Sequence, residues 1–215
     1  MKKLVYDIIN KLNAQNITYA DVRFTDTDNQ QIYFEKGKLK YFGSDMDSLA
    51  LGIRVLADGC WGFAGTTILT QTSIDKTIKK AISNARLGSK FRKEPASFRK
   101  LKPVQDSYLF RPIEDPFLMD DKYKIDFHEK IAQKLIVNEK IVYSNVYTEF
   151  YRQYKIFANT EGTFVDSLVY DTMPMMYVLA SNGKESMCRT YPGHMNGRRG
   201  GFEEVRKVKM EENTD

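Results

Sequence analysis

Cysteine and histidine are scarce in this chain, with two of each among 215 residues. Cys60 and Cys188 are too few and too far apart for a disulfide framework or a thiolate metal cluster, so both are expected as free thiols. Long apolar runs are missing as well. Nothing approaches the roughly 18 to 20 uninterrupted apolar residues that cross a bilayer, and the N-terminus has neither the apolar core nor the cleavage site of a secretory leader. The expectation is a cytoplasmic protein with no membrane partner. Several catalytic signatures are also absent: there is no Gly-x-Ser-x-Gly elbow, no phosphate-binding glycine loop with its lysine, and no histidine beside either cysteine in sequence.

What is present is material for folding. A hydrophobic share of 42% supports one large core or two small ones. The formal charge of +5 raises the question of nucleic acid, but the 33 basic residues are interleaved with 28 acidic ones and form no dense arm. Nucleic acid is therefore not expected as a partner. The local exception is Lys90 to Lys102, which carries Lys90, Arg92, Lys93, Arg99, Lys100 and Lys102 with Pro95 inside it and Pro103 just after. It has no clear period and reads as an exposed connection.

The chain is organised around Leu49 to Thr67. Leu49, Leu51, Ile53 and Val55 alternate as one face of a mostly buried strand, and Asp58-Gly59 then tolerates the positive φ angles of a tight turn. Trp61 to Ala64 returns as the second strand of a hairpin. Ahead of it, Leu4, Ile8, Ile9 and Leu12 share one helical face, and the helix is expected to end near Asn16. Strands are expected over Tyr19 to Thr25, Gln31 to Glu35 and Lys38 to Phe42, with turns at Thr27 to Gln30 and at Lys36-Gly37. A second helix is expected to be capped by Thr72 with Asp75 reaching back, to bury Ile74, Ile78, Ala81, Ile82 and Ala85, and to stop at Gly88.

A third helix is expected from about Asp120 to Val137, with Phe127, Ile131 and Leu135 in one row beside Ala132 and Ile136. Strands follow over Lys140 to Phe150, Arg152 to Asn159 and Thr163 to Ala180, with turns at Thr160-Glu161-Gly162 and Asn182-Gly183. Gly200 to Val205 opens a helix, and Lys207 to Asp215 reads as a charged, frayed tail. The expected fold class is α+β, with helices packed on mainly antiparallel sheets. The expected division is a helix, sheet and helix unit at 1–90, a basic connection at 91–118, a second helix and long-strand unit at 119–206, and the tail at 207–215. Both halves offer a helix, strands joined by a Lys-Gly or Glu-Gly turn, and a longer strand ending at Asp-Gly or Asn-Gly, an echo that raises an internal repeat of two related units as an alternative to unrelated ones.

Few residues invite chemistry. His128-Glu129 lies on the third helix, but a zinc site of the His-Glu type needs a second histidine one turn on, and Ala132 and Gln133 stand there instead. His128 is therefore expected to be an exposed helix histidine. His194 sits in the glycine-flanked loop Pro192 to Gly197, and with Arg189, Arg198 and Arg199 it makes the candidate binding set for an anion or a peptide carboxylate. No catalytic or metal-ligating residue is assigned. Met173, Met175, Met176 and Met187 cluster around the last long strand and are expected in the core.

The run Gly52-Ile53-Arg54-Val55-Leu56-Ala57-Asp58-Gly59-Cys60-Trp61-Gly62-Phe63-Ala64, preceded by Ala20-Asp21-Val22-Arg23 and Lys36-Gly37-Lys38-Leu39, resembles the N-terminal domain of the TldD/PmbA family, also called modulators of DNA gyrase. Asp115-Pro116-Phe117, the Lys122 to Leu135 helix, Asn159-Thr160-Glu161-Gly162-Thr163 and Gly200-Gly201-Phe202-Glu203 are similar to later landmarks of the TldD branch. The resemblance runs in order along nearly the whole chain. It implies a zinc metallopeptidase system that acts on unfolded or small peptides and is assembled from two family subunits, as a homo- or heterodimer. In that branch a His-Glu-x-x-x-His helix and a later cysteine hold the metal, downstream of the Gly-Gly-Phe-Glu landmark. This chain lacks that helix, so zinc is implied for the full-length family protein and no cofactor for this chain. The expected role is the non-catalytic substrate-handling and assembly region, inactive alone. The alternative is a free-standing peptide- or nucleic-acid-binding module.

Overall fold

The computed structural model describes residues 1–97, 99–194 and 196–214. In chain order its elements are α1 (Lys2–Asn13), β1 (Tyr19–Glu35), β2 (Lys38–Ala57), β3 (Cys60–Thr66), α2 (Gln71–Ser89), β4 (Gln105–Leu109), α3 (Asp121–Lys134), β5 (Ile141–Asn159), β6 (Phe164–Ser181), β7 (Ser186–Tyr191), β8 (Arg198–Arg199) and α4 (Phe202–Lys207). A 3₁₀ turn, Met210–Asn213, follows. The strands hydrogen-bond in the order β3-β2-β1-β5-β6-β4, with β7 and β8 also pairing with β6. Pairing is mainly antiparallel, as the short connections require, and β4 lies parallel to β6. The fold is α+β.

Two compact units interleave along the chain. The first comprises 1–27, 47–109 and 153–168, and the second 28–46, 110–152 and 169–215. In the first unit, α1 presents Val5, Ile8 and Leu12, and α2 presents Ile74, Ile78, Ala81 and Ala85, to one core with Val22, Phe24, Ile53, Val55 and Ile156. The Asp58-Gly59 turn has φ angles of 49° and 70°, the double positive pair of a type I′ hairpin. Gly62 on β3 lies so close to α2 that a Cβ there would collide with the Ala81 carbonyl and the Ala85 amide. Asp21 is buried and held by Arg54 (2.6 Å), whose guanidinium lies 4.7 Å from the Trp61 ring centre.

In the second unit, α3 and α4 cover one face of the sheet. Ile131, Ala132 and Leu135 meet Ile32, Phe34, Val146, Phe150 and Met176, and Phe202 and Val205 of α4 complete the core. Phe202 ring contacts reach Phe127, Phe150 and His128.

Several local expectations change. The polar stretch Thr27 to Gln30 is no turn: β1 runs straight through it, because Asp28 is paired with Arg152 and Gln30 accepts from Lys124. Likewise β2 and β5 each continue where a break is expected. The cap of α2 is Thr70, not Thr72. Its hydroxyl accepts from Ser73 N–H, which leaves Asp75 free to pair with Lys11 at 2.6 Å. Gly88 lies inside α2, whose last turn is tied by Ser89 to the Arg86 carbonyl. The described part of the tail, 208–214, is not frayed, since Val208 and Met210 are buried in the second core, and Asp215 lies outside the described residues. Of the four methionines, Met176 is buried whereas Met187 is exposed, as it projects from a strand edge.

Candidate functional site

The third helix carries a polar network where an exposed histidine is expected. His128 is fully buried, with Nδ1 2.7 Å from the Lys124 carbonyl and Nε2 2.7 Å from the Thr148 hydroxyl. A carbonyl can only accept, so Nδ1 donates and Nε2 accepts from Thr148. Burial pushes the His128 pKa down to about 4, against the smaller upward pull of the Lys124 carbonyl. The imidazole is neutral at pH 7 and both its nitrogens are engaged. It therefore does not fit a zinc ligand, and Glu129 beside it is exposed.

Lys124 is also fully buried. Its ammonium has three protons and three acceptors: Asp121 at 2.9 Å, the Pro116 carbonyl at 2.7 Å, and the Gln30 side-chain oxygen. Nearby, the Glu203 carboxylate accepts from the backbone N–H groups of Ile113, Glu114 and Gly201 at 3.0 to 3.2 Å. Burial alone would raise its pKa, but these bonds hold it below the ordinary value. A Cβ on Gly201 would collide with the Glu114 carbonyl, which accepts from Phe202 N–H. The Gly200-Gly201-Phe202-Glu203 motif is thus a clasp that fixes the extended segment before α3.

The four candidate binding residues fall in three places: β8, β7 and the connection between them. Arg198 and Arg199 form β8, opposite Thr172 and Asp171. Arg199 is already held by Asp171 at 2.7 Å. The Arg198 Nε is buried without a hydrogen-bond partner among the described residues. Arg189 lies on β7 opposite Val178, six residues further along β6 and so about 20 Å away. His194 is exposed in the connection between β7 and β8, which begins with a cis Tyr191-Pro192 bond. Met195 of that connection lies outside the described residues.

Arg189 stands at a different kind of site. Asn182 N–H bonds to the Glu185 carbonyl at the end of the β6–β7 hairpin, and Ser181 N–H bonds to Lys140 on the β5 side. Antiparallel pairs alternate, so Met187, Arg189 and Tyr191 turn their backbone groups to β6 while Ser186, Cys188 and Thr190 turn theirs outward. Among the described residues no strand pairs with that outer edge. Beside it lies a cleft of about 480 Å³ whose lining includes the apolar Leu135, Ile141, Met176, Val178 and Tyr191 together with Arg189, Glu212 and Thr214. The Glu212 carboxylate is paired with Lys209 at 3.1 Å. Among the described residues no carboxylate pairs with Arg189. The sequence pointed to Arg189 only as one arginine of a basic loop. The apolar wall and the open edge carry no local signal, because they are assembled from α3, β5, β6 and β7.

Residues 20–85 match the family model described as PmbA/TldA metallopeptidase domain 1. Over this stretch of the 215-residue chain the sequence is similar to the TldD/PmbA family. Among curated relatives it is 24% identical over 164 residues to Metalloprotease MJ0996 of Methanocaldococcus jannaschii, covering 74% of this chain and 35% of that protein. Among solved structures, the DNA gyrase modulator TM0727 of Thermotoga maritima superposes with a TM-score of 0.73 at 18% identity, covering 100% of this chain and 47% of that one. TldE of Thermococcus kodakarensis superposes with a TM-score of 0.60 at 12% identity, covering 95% and 46%. At those identities the structures speak for the fold. The chain spans between about a third and a half of the length of these relatives.

Proposed function

We propose that the chain is the substrate-handling and assembly region of a TldD-like zinc metallopeptidase acting on unfolded or small peptides, and that it takes an extended peptide onto the outer edge of β7. The observation that carries this reading is the edge itself. Three residues in alternation, Ser186, Cys188 and Thr190, offer backbone donors and acceptors that no strand pairs among the described residues, beside an apolar cleft, which is what strand addition requires. The names of the relatives, a metalloprotease and TldE, support the peptidase setting and a second family subunit as partner. The zinc chemistry belongs on this reading to a part of the full-length protein outside this chain, since His128 is committed to Lys124 and Thr148.

Fluorescence anisotropy of a dye-labelled unstructured peptide tests it, with Thr190→Pro as the discriminating variant. The substitution removes one outward N–H and leaves the bonds between β6 and β7 in place. The expected result is a loss of about tenfold or more in affinity, with the melting temperature unchanged. Equal binding by the variant would remove β7 from the account.

A further inference from the structure

The β7 edge is a selective site: we propose that it takes peptide segments in which an apolar and an acidic side chain stand two residues apart, the acidic one on Arg189 and the apolar one over the cleft. This rests on the preceding reading that peptide adds as a strand to β7, and it specifies which peptides.

The peptide's alternating faces set the choice. Side chains of a strand alternate, so residues i and i+2 of an added peptide share a face, and neighbouring strands run about 4.8 Å apart. Met187, Arg189 and Tyr191 share the face that carries Met176 and Val178. Two consecutive same-face residues of the peptide would therefore stand beside Arg189 and Tyr191. Directly opposed cross-strand residues interact most strongly, and opposite charges there are favourable. The guanidinium is also uncommitted. Arg54, Arg152, Arg199 and Arg206 are each held by a carboxylate, Asp21, Asp28, Asp171 and Glu114 respectively, whereas among the described residues none holds Arg189. Glu212, the carboxylate on the cleft lining, is paired with Lys209. The position beside Tyr191 adjoins the cleft lining, where Val137 is exposed and Ile141 and Val178 are half-buried, so an apolar side chain there removes apolar surface from water. The charge chemistry also matches the chain as a whole, with its formal charge of +5.

The test uses the intact chain and short peptides capped at both ends, so that no terminal charge substitutes for the acidic side chain. The peptides carry Leu-x-Glu, Leu-x-Gln, Ala-x-Glu or Glu-x-Leu at their centre, and affinity is read by fluorescence anisotropy. Wild type is expected to bind either the Leu-x-Glu or the Glu-x-Leu peptide about tenfold more tightly than Leu-x-Gln, and Leu-x-Glu or its reverse more tightly than Ala-x-Glu. The preferred order reports whether the added strand runs antiparallel or parallel to β7. Arg189→Gln is expected to bring the Glu and Gln peptides to within about twofold of one another, and Arg189→Glu to prefer a Leu-x-Lys peptide. If peptides bind wild type without regard to Glu or Leu, or if the preference persists in Arg189→Gln, the inference is wrong and strand addition stands. If no peptide binds, both readings fall.

Discussion

His128 shows how far a residue's setting decides its chemistry. Its ring nitrogens are satisfied by a backbone carbonyl one turn back and by Thr148 on β5, and its charged form has no room in that arrangement. With a folded pKa near 4 against an ordinary value of 6.5, the unfolded chain binds the proton more readily between those limits. Stability is therefore full above about pH 6.5 and falls as pH drops toward 4, by roughly 3 kcal/mol at most from this group. Glu203 acts in the same direction at lower pH, because a carboxylate with a depressed folded pKa loses its contribution as it protonates. Urea unfolding at pH 7 and at pH 4.5 is expected to show the loss, and His128→Gln is expected to flatten the pH slope while lowering stability at pH 7. An unchanged slope in the variant would mean that some other group titrates. None of this was legible in sequence, where His128-Glu129 presents itself on a helix with no indication that Thr148, 20 residues on, would bury it.

Elements were legible where the pattern was local. The α1 face, the Asp58-Gly59 turn and the α2 stripe all follow from spacing and turn chemistry, and each is present as expected. Thr27 to Gln30 misleads for a physical reason: polar residues at the middle of a strand look like a turn unless their partners are known, and the partners Arg152 and Lys124 lie far away in sequence. The Thr70 cap was missed by two residues because Thr72 and Asp75 imitate a capping box. Gly62 gives an element-scale prediction. It permits β3 and α2 to touch backbone to backbone, so Gly62→Ala is expected to cost about 1 to 3 kcal/mol or more. A thermal melt reads this directly, and a variant as stable as wild type would show that α2 can shift away at little cost.

At the scale of the molecule, four long strands, β1, β2, β5 and β6, each contribute residues to both compact units. That interleaving is hard to see in a linear chain, since the expectation of consecutive units follows from reading elements in order. The Arg189 site shows the same limit. Its arginine was visible in the sequence, but the cleft wall comes from four separate elements of the second unit. The family resemblance was readable because its landmarks are turns and clasps: Asp58-Gly59, Asn159 accepting from Glu161 and Thr163, and the Glu203 clasp all require particular residue types. A further expectation concerns metal. The purified chain should bind no stoichiometric zinc by elemental analysis, and tight one-to-one zinc lost on changing His128 would contradict the hydrogen-bonding assignment made above.

Uptake of peptide on the outer edge of β7 can be read by amide hydrogen exchange. The N–H groups of Ser186, Cys188 and Thr190 point away from β6, so they should exchange fast in the free chain and slow markedly when an unfolded peptide is added, while those of Met187, Arg189 and Tyr191 change little. Protection of that alternating set is expected if peptide adds to β7. Peptide binding that leaves the three amides unprotected, or that protects a different strand, would contradict it.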